Sequence, residues 1–305
     1  MNITLTGNLG AGKTSVCNEL KKLGFEIIST GSIFRKIAEE KNISVLELNE
    51  IAKKDRSIDD MIDNRTIELG KTVDNKIFDS RLAWNFIPDS FKVFLYIDTD
   101  EAAARVVAGE NRNAEEYNSF EEARDSLYKR AKLEQARFKE LYSIDYYNAS
   151  NYNLVIETTS ATPQEIANEI IRNFNLYKEN KNKETKLEIN VTSLYPTIDL
   201  KDMDMNKYEE EVKKEKENKS KCALNKMNVI EKEGFYFLED HHEEFFAAVK
   251  SEKRFVEVNL LSKENNNKLN TNQIKEFENL SSFKYKKYPE NDKSGHIVSI
   301  DDLKE

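Results

Sequence analysis

The run Gly7-Asn8-Leu9-Gly10-Ala11-Gly12-Lys13-Thr14 constrains this chain more than any other feature. It fits the spacing G-x-x-x-x-G-K-[ST] and stands between a strand-like segment, residues 2–6, and an amphipathic helix bearing Val16, Leu20 and Leu23. Glycines let the backbone curl until its N–H groups point inward at phosphate oxygens, and the helix that opens near Lys13 adds the positive end of its dipole. In such a loop the lysine, Lys13, reaches the β- and γ-phosphates, and the Thr14 hydroxyl is a ligand for Mg²⁺. Gly7 through Ser15 is therefore the expected cofactor-binding run, with ATP and Mg²⁺ as the implied cofactors. Cys17, on the same helix, reads as a small packed side chain.

The loop implies a bound nucleoside triphosphate and leaves the second substrate open. A base-reading N-K-x-D, expected of a GTPase, is absent from the sequence, and none of the β-rich segments in the first 160 residues ends in Asp-Asp or Asp-Glu, as a motor ATPase would be expected to show. The loop starts seven residues into the chain, a placement common in kinases of small metabolites.

Five β-rich segments fall in the first 160 residues: 2–6, 25–29, 76–79, 93–98 and 154–157. Stretches of helical periodicity separate them, such as Val45, Leu46, Leu48, Ile51 and Ala52. That alternation predicts an α/β fold with a five-stranded parallel sheet covered on both faces. A closing helix is predicted over 163–176, with Thr162 as N-cap, Pro163 at the first helical position and Glu165 as the capping-box acid.

At 305 residues the chain suits two domains. Residues 178–186 read KENKNKETK without a large apolar side chain, which predicts a polar linker between a first domain, 1–177, and a second over 187–305. The second has an α+β pattern. Strands are expected at 187–191, 229–230, 235–238 and 255–261, a charged helix at 206–219 and a helix at 242–250, with order doubtful from 263. The first domain is expected to fold and work alone. The net charge of −9 argues against nucleic acid as a partner. Two cysteines, Cys17 and Cys222, make no disulfide framework, and with no signal peptide or membrane-spanning run in view a cytoplasmic location is expected.

Phosphoryl transfer between two anions requires cations that clamp the acceptor, and arginine binds phosphate bidentately. Arg35 lies just after the second predicted strand and Arg81 just past the third. In a doubly wound sheet, ligands bind at those carboxyl ends. Arg130, Glu134 and Arg137 are spaced i, i+4, i+7 and share one helix face. The same spacing also suits a surface salt-bridge ladder.

With these residues in view, the first 176 residues resemble the archaeal-type cytidylate kinases, a branch of the P-loop nucleoside monophosphate kinases. The resemblance rests on ITLTGNLGAGKTS, IISTGSIFRKIAEEKNISVLELNEIAKKDRSIDDMIDNR, IFDSRLAW, KRAKLEQARFKELYSID and YNLVIETTSATPQEI, in that order. It implies a P-loop kinase fold with a helical lid, and transfer of the ATP γ-phosphate to CMP or dCMP with Mg²⁺. It further implies that Arg35 and Arg81 hold the acceptor, with Asp63, Arg65 and Glu134 in the same substrate-binding region. Arg130 and Arg137 would act catalytically with Lys13 from the lid side, and Asp79 would join Thr14 at the metal through a bound water. Three positions depart from the family pattern: Ser32 stands for an aspartate, Ser80 for a glycine, and Gly109 follows Arg105 where a basic residue is usual. Other acceptors, a modified deoxynucleotide or another small hydroxyl compound, remain open at this point, and so does an ATP-responsive binding module without turnover.

Residues 187 to about 262 resemble the ParB/sulfiredoxin-like fold through GFYFLEDHH, a following helix and the strand FVEV. Active members carry a glycine after the aspartate and an arginine after the histidine pair; here Asp240 runs into His241, and Glu243 follows His242. Adjacent histidines without a third spaced ligand make a poor metal site. A structural or protein-partner role is the expectation for this half.

Overall fold

The computed structural model describes residues 1–52, 55–107, 117, 119–180, 184–198, 203–217, 226–232 and 235–261. Gly109, Cys222, Gly234 and everything from 262 onward lie outside the described residues.

The chain opens with β1 (Ile3–Gly7), α1 (Lys13–Lys22), β2 (Glu26–Ser29) and the helices α2 (Thr30–Glu40), α3 (Val45–Ala52) and α4 (Ser57–Thr72). Then come β3 (Lys76–Asp79), the short α5 (Ala83–Phe86), β4 (Phe91–Tyr96), α6 (Thr99–Val107), α7 (Phe120–Tyr142), β5 (Leu154–Glu157) and α8 (Pro163–Asn180). These five strands lie parallel in the order β2-β3-β1-β4-β5, with Ile3 in register with both Ile77 and Phe91. The predicted parallel sheet is present, with all five strands within two residues of their expected bounds.

Alternation along the central strands divides two cores, as a parallel sheet covered on both faces requires. Val93, Leu95, Leu154 and Ile156 face α1 and α8 and pack with Val16, Leu20, Ile166, Ile170 and Phe174. Phe94, Tyr96 and Val155 face the other way, toward Tyr146, Tyr147 and Tyr152. A separate cluster of Ile33, Ile37, Leu48 and Ile58 holds α2, α3 and α4 together.

The sheet does not stop at β5. Residues beyond the expected linker add β6 (Lys186–Asn190), β7 (Leu194–Tyr195), α9 (Met205–Glu217), β8 (Met227–Lys232), β9 (Phe235–Leu238), α10 (His242–Lys250) and β10 (Phe255–Leu260). β6 pairs parallel with β5, Val155 opposite Leu187, and the order continues β6-β10-β8-β9-β7, giving one ten-stranded sheet. The cores are shared as well. Ile189, Leu194, Met227, Val229, Tyr236 and Phe245 join Phe94, Tyr96 and Val155 in one cluster, and Phe255 enters the other beside Phe174 and Ile166. Polar residues 178–180 complete the last turn of α8 instead of opening a linker, because lysine, glutamate and a terminal asparagine all fit a solvated helix end. The sheet and both cores thus run across the expected boundary without a break.

Candidate active site

Gly10 and Gly12 carry the loop between β1 and α1 in the left-handed region, with φ of 81° and 77°. A Cβ on Gly10 would come within 2.6 Å of the Ala102 side chain, so the loop is closed against α6 by the absence of one. A Cβ on Gly12 would meet nothing within 4 Å, so this side of the loop is open. Asn8 is committed to shape: its Nδ2 donates to the Ile97 carbonyl at 2.7 Å, and its Oδ1 accepts from the Ile97 N–H at 3.0 Å. Leu9 packs against the core on the α1 side. Ala11 is buried, while Thr14 and Ser15 stand exposed in the first turn of α1.

Lys13, half-buried, is the first residue of that helix. Burial, together with the neighbouring Arg81, pulls its pKa down to about 7, against a smaller opposing pull from Asp79 and Glu134. Cys17, one turn on, is buried, and burial pushes its thiol up to about 12, which makes it inert.

Arg81 lies two residues past β3 and crosses to the phosphate loop. Its Nη1 donates to the Gly7 carbonyl at 2.7 Å and its Nε to Glu134 Oε2 at 3.1 Å. Glu134 also faces Arg130 at 3.3 Å, so one carboxylate on α7 gathers two of the expected arginines. Arg137, a turn further along, reaches α4 instead and pairs with Asp59 at 2.6 Å. Asp63, on the same helix, accepts from the Tyr142 hydroxyl at 2.7 Å; burial raises its carboxyl above the usual range. Lys13, Arg81, Glu134 and Arg130 thus converge at the phosphate loop, while Arg137 and Asp63 bind α7 to α4.

The remaining expected residues are placed otherwise. Arg35 is exposed on α2, its guanidinium folded back over Gly31. Arg65 is engaged along the helical insert by Glu68 at 2.8 Å and Glu40 at 3.5 Å. Asp79 ends β3, half-buried and close enough to Lys13 to act on its charge. Two of the departures from the family pattern have local duties. The Ser32 hydroxyl accepts from the Ser29 N–H at 3.0 Å while Ser29 accepts from the Ser32 N–H, a capping box that starts α2. The Ser80 hydroxyl accepts from the Leu82 N–H at 3.3 Å.

Beside the loop lies an open cleft of about 360 Å³, lined by Gly10, Gly12, Ser15, Arg105, Thr162, Pro163 and other residues of α6 and the start of α8. Arg105 spans it, donating to the Thr158 and Thr159 carbonyls at 3.0 and 2.8 Å. Sequence reading treated Thr162-Pro163 only as a helix start. The signal that could have identified this wall is its position, directly after a central strand at the sheet's carboxyl edge. Asp59 and Tyr142 were also missed, since their partners lie 78 and 79 residues away in the chain.

In the second half, Asp240 is spent on Asn228, accepting from its backbone N–H at 2.8 Å. His242 Nε2 accepts from the Thr197 N–H at 3.3 Å, and burial lowers its pKa, so the ring is held neutral. Lys207 pairs with Glu243 at 3.0 Å at the start of α10. Among the described residues no group of three His, Cys, Asp or Glu side chains could hold a metal ion. No helix among them is long and apolar enough to cross a membrane.

The sequence profile of the cytidylate kinase-like family matches residues 2–160, just over half of the chain. The chain belongs to the cytidylate kinase-like family. It is a nucleotide-binding kinase of the nucleoside monophosphate kinase class. Similar proteins include the cytidylate kinase of Methanobrevibacter smithii, 36% identical over 172 residues that cover 56% of this chain and 96% of that one. The cytidylate kinase of Methanocella arvoryzae is 38% identical over 160 residues, 52% of this chain and 88% of the other. Among solved structures, a shikimate kinase from Bacteroides thetaiotaomicron aligns with 58% of this kinase and 98% of its own chain, at 19% identity and a TM-score of 0.40.

Proposed function

We propose that this kinase transfers the γ-phosphoryl group of ATP to CMP or dCMP, giving ADP and the corresponding diphosphate. The observation that carries the reading is the convergence of Lys13, Arg81 and Arg130 around Glu134 at the mouth of the phosphate loop. A cluster of basic side chains at the mouth of a phosphate loop suits two anionic groups, a donor and an acceptor phosphate. The cytidine base is supported by the names of the relatives, which match this chain over nearly their whole length.

In this reading the backbone N–H groups of Gly7 to Ser15 wrap the donor phosphates, and the 360 Å³ cleft beside Arg105 takes the nucleoside. Lys13 becomes fully protonated as the phosphates arrive and meets the charge that develops on the transferred group. Arg81 turns from Glu134 to the acceptor phosphate, with Arg35 closing from α2. Asp63 and Arg65 shape the acceptor side from α4. Arg130 and Arg137, on α7, grip from the opposite side and exclude water as the helices approach. Magnesium fits the donor set, since Thr14 offers an exposed hydroxyl and Asp79 a nearby carboxylate, the hard oxygen ligands that this ion prefers. When bound, it supplies charge neutralisation across the β- and γ-phosphates.

A coupled assay for ADP formation with CMP, dCMP and other monophosphates tests the reading. CMP or dCMP is expected to give the highest kcat/KM. Turnover confined to a non-nucleotide acceptor would contradict it.

A further inference from the structure

We propose that the segment beyond β5 supports the kinase reaction: Ser193 and Arg254 act as positioning residues for the wall of the ATP cleft formed by residues 157–166. The inference rests on the reading of that cleft as the donor-nucleotide site.

The wall runs from the end of β5 into the first turn of α8, and Ala161, Thr162, Pro163 and Ile166 line the cleft. It is a short connection that must hold a fixed distance from the phosphate loop. On its inner side Arg105 fastens the Thr158 and Thr159 carbonyls. Its outer side is fastened by residues that a kinase of five strands would not contain. The Ser193 hydroxyl donates to Glu157 Oε2 at 3.2 Å and lies 3.1 Å from the Ser160 hydroxyl. Arg254 Nε lies 2.9 Å from Glu165 Oε1. The other oxygen of that carboxylate accepts from the Thr162 N–H at 2.9 Å and the Thr162 hydroxyl at 3.0 Å. One glutamate therefore closes the capping box that shapes the cleft wall and ties the same turn to Arg254.

The two outer contacts belong to one unit. The Arg254 carbonyl accepts from the Val191 N–H at 3.0 Å, joining the start of β10 to the turn that carries Ser193. Phe255, next to Arg254, is buried in the same core as Ile166. A shift of β6 and β10 would accordingly move the wall that faces the nucleoside. Neither Ser193 nor Arg254 lines the cleft, so each acts through the wall and not on the nucleotide. Arg254 is 58% exposed, and its ion pair is screened by solvent, which sets the effect at a modest size.

The test uses the full chain and four variants: Arg254→Ala, Arg254→Lys, Glu165→Gln and the double variant Ser193→Ala/Arg254→Ala. KM for ATP and for CMP is measured in the coupled assay, with direct titration of a fluorescent ATP analogue. The double variant is expected to raise KM for ATP about threefold to tenfold and leave KM for CMP and the melting temperature nearly unchanged. Arg254→Lys should recover most of the loss, and Glu165→Gln should act in the same direction as Arg254→Ala. Unchanged ATP affinity in the double variant, or equal loss for ATP and CMP, would overturn the inference while leaving the donor assignment intact. Failure of the unmodified protein to bind ATP would overturn the donor assignment and this inference with it.

Discussion

Arg81 and Glu134 lie on opposite sides of the site and meet at 3.1 Å, while the same guanidinium donates to the Gly7 carbonyl. A residue just past β3 thus bridges the phosphate loop and the long helix α7. In the proposed reaction an acceptor phosphate replaces Glu134 at Arg81, because a carboxylate and a phosphate present similar paired oxygens to an arginine.

Replacing Arg81 by alanine should therefore act mainly on the acceptor. A lost bidentate phosphate contact is worth about 2–3 kcal/mol, or about 30- to 150-fold in kcat/KM for CMP. Arg35→Ala should act in the same direction. Steady-state kinetics with both substrates varied checks this. An equal loss of ATP affinity would assign these arginines to the donor instead.

Lys13→Ala should fold normally and lose phosphoryl transfer by several orders of magnitude. The chemistry requires a cation where charge develops, and neither α1 nor the cores depend on this side chain. Circular dichroism and turnover measured on the same preparation check the two halves of the statement. Near-normal turnover would defeat the assignment of the loop as the catalytic centre.

The lysine also predicts a pH signature. Burial and Arg81 set its pKa at about 7. Phosphate binding favours the protonated form and raises that value. ATP binding should then take up a proton between pH 7 and the raised pKa, and affinity should weaken as pH rises from 7 to 9. Below pH 7 the lysine is already charged, and the dependence should flatten. Calorimetry in buffers of different ionisation enthalpy measures the uptake directly, and an uptake of zero at pH 8.5 would contradict the account.

Much of this site was legible because its chemistry is local in sequence. The phosphate loop needs eight consecutive residues, and the i, i+4, i+7 spacing of Arg130, Glu134 and Arg137 declares one helix face. What was not legible depends on pairing at long range. Asp59 and Tyr142 are unremarkable in sequence and find partners only when α4 and α7 meet. The joining of β5 to β6 was hidden for a different reason. Residues 178–186 are polar throughout, as a linker would be, yet a solvated helix end and the first residue of a strand tolerate the same composition. Glu188 shows the difficulty most sharply. Its charge suggests exposure, but it is 2% exposed, held by Arg172 at 2.9 Å, and burial raises its carboxyl well above the usual range.

The shared sheet changes the expected result of truncation. A fragment of residues 1–180 would uncover Phe94, Tyr96 and Val155 and leave the edge of β5 unpaired. It should aggregate or melt well below the full chain, and should not retain normal activity. Phe255→Ala is a milder version of the same test. It removes a buried ring from the core beneath α8 and should cost about 3–5 kcal/mol in denaturant unfolding. A truncated protein with the melting temperature and kcat of the full chain would restore the view of two independent domains.

The most direct measurement of the central claim is ADP release by the full chain, with ATP and Mg²⁺, across a panel of ribo- and deoxyribonucleoside monophosphates. The account predicts turnover that is highest with CMP or dCMP and abolished in Lys13→Ala. ADP release no greater than that of Lys13→Ala with every monophosphate in the panel would contradict it.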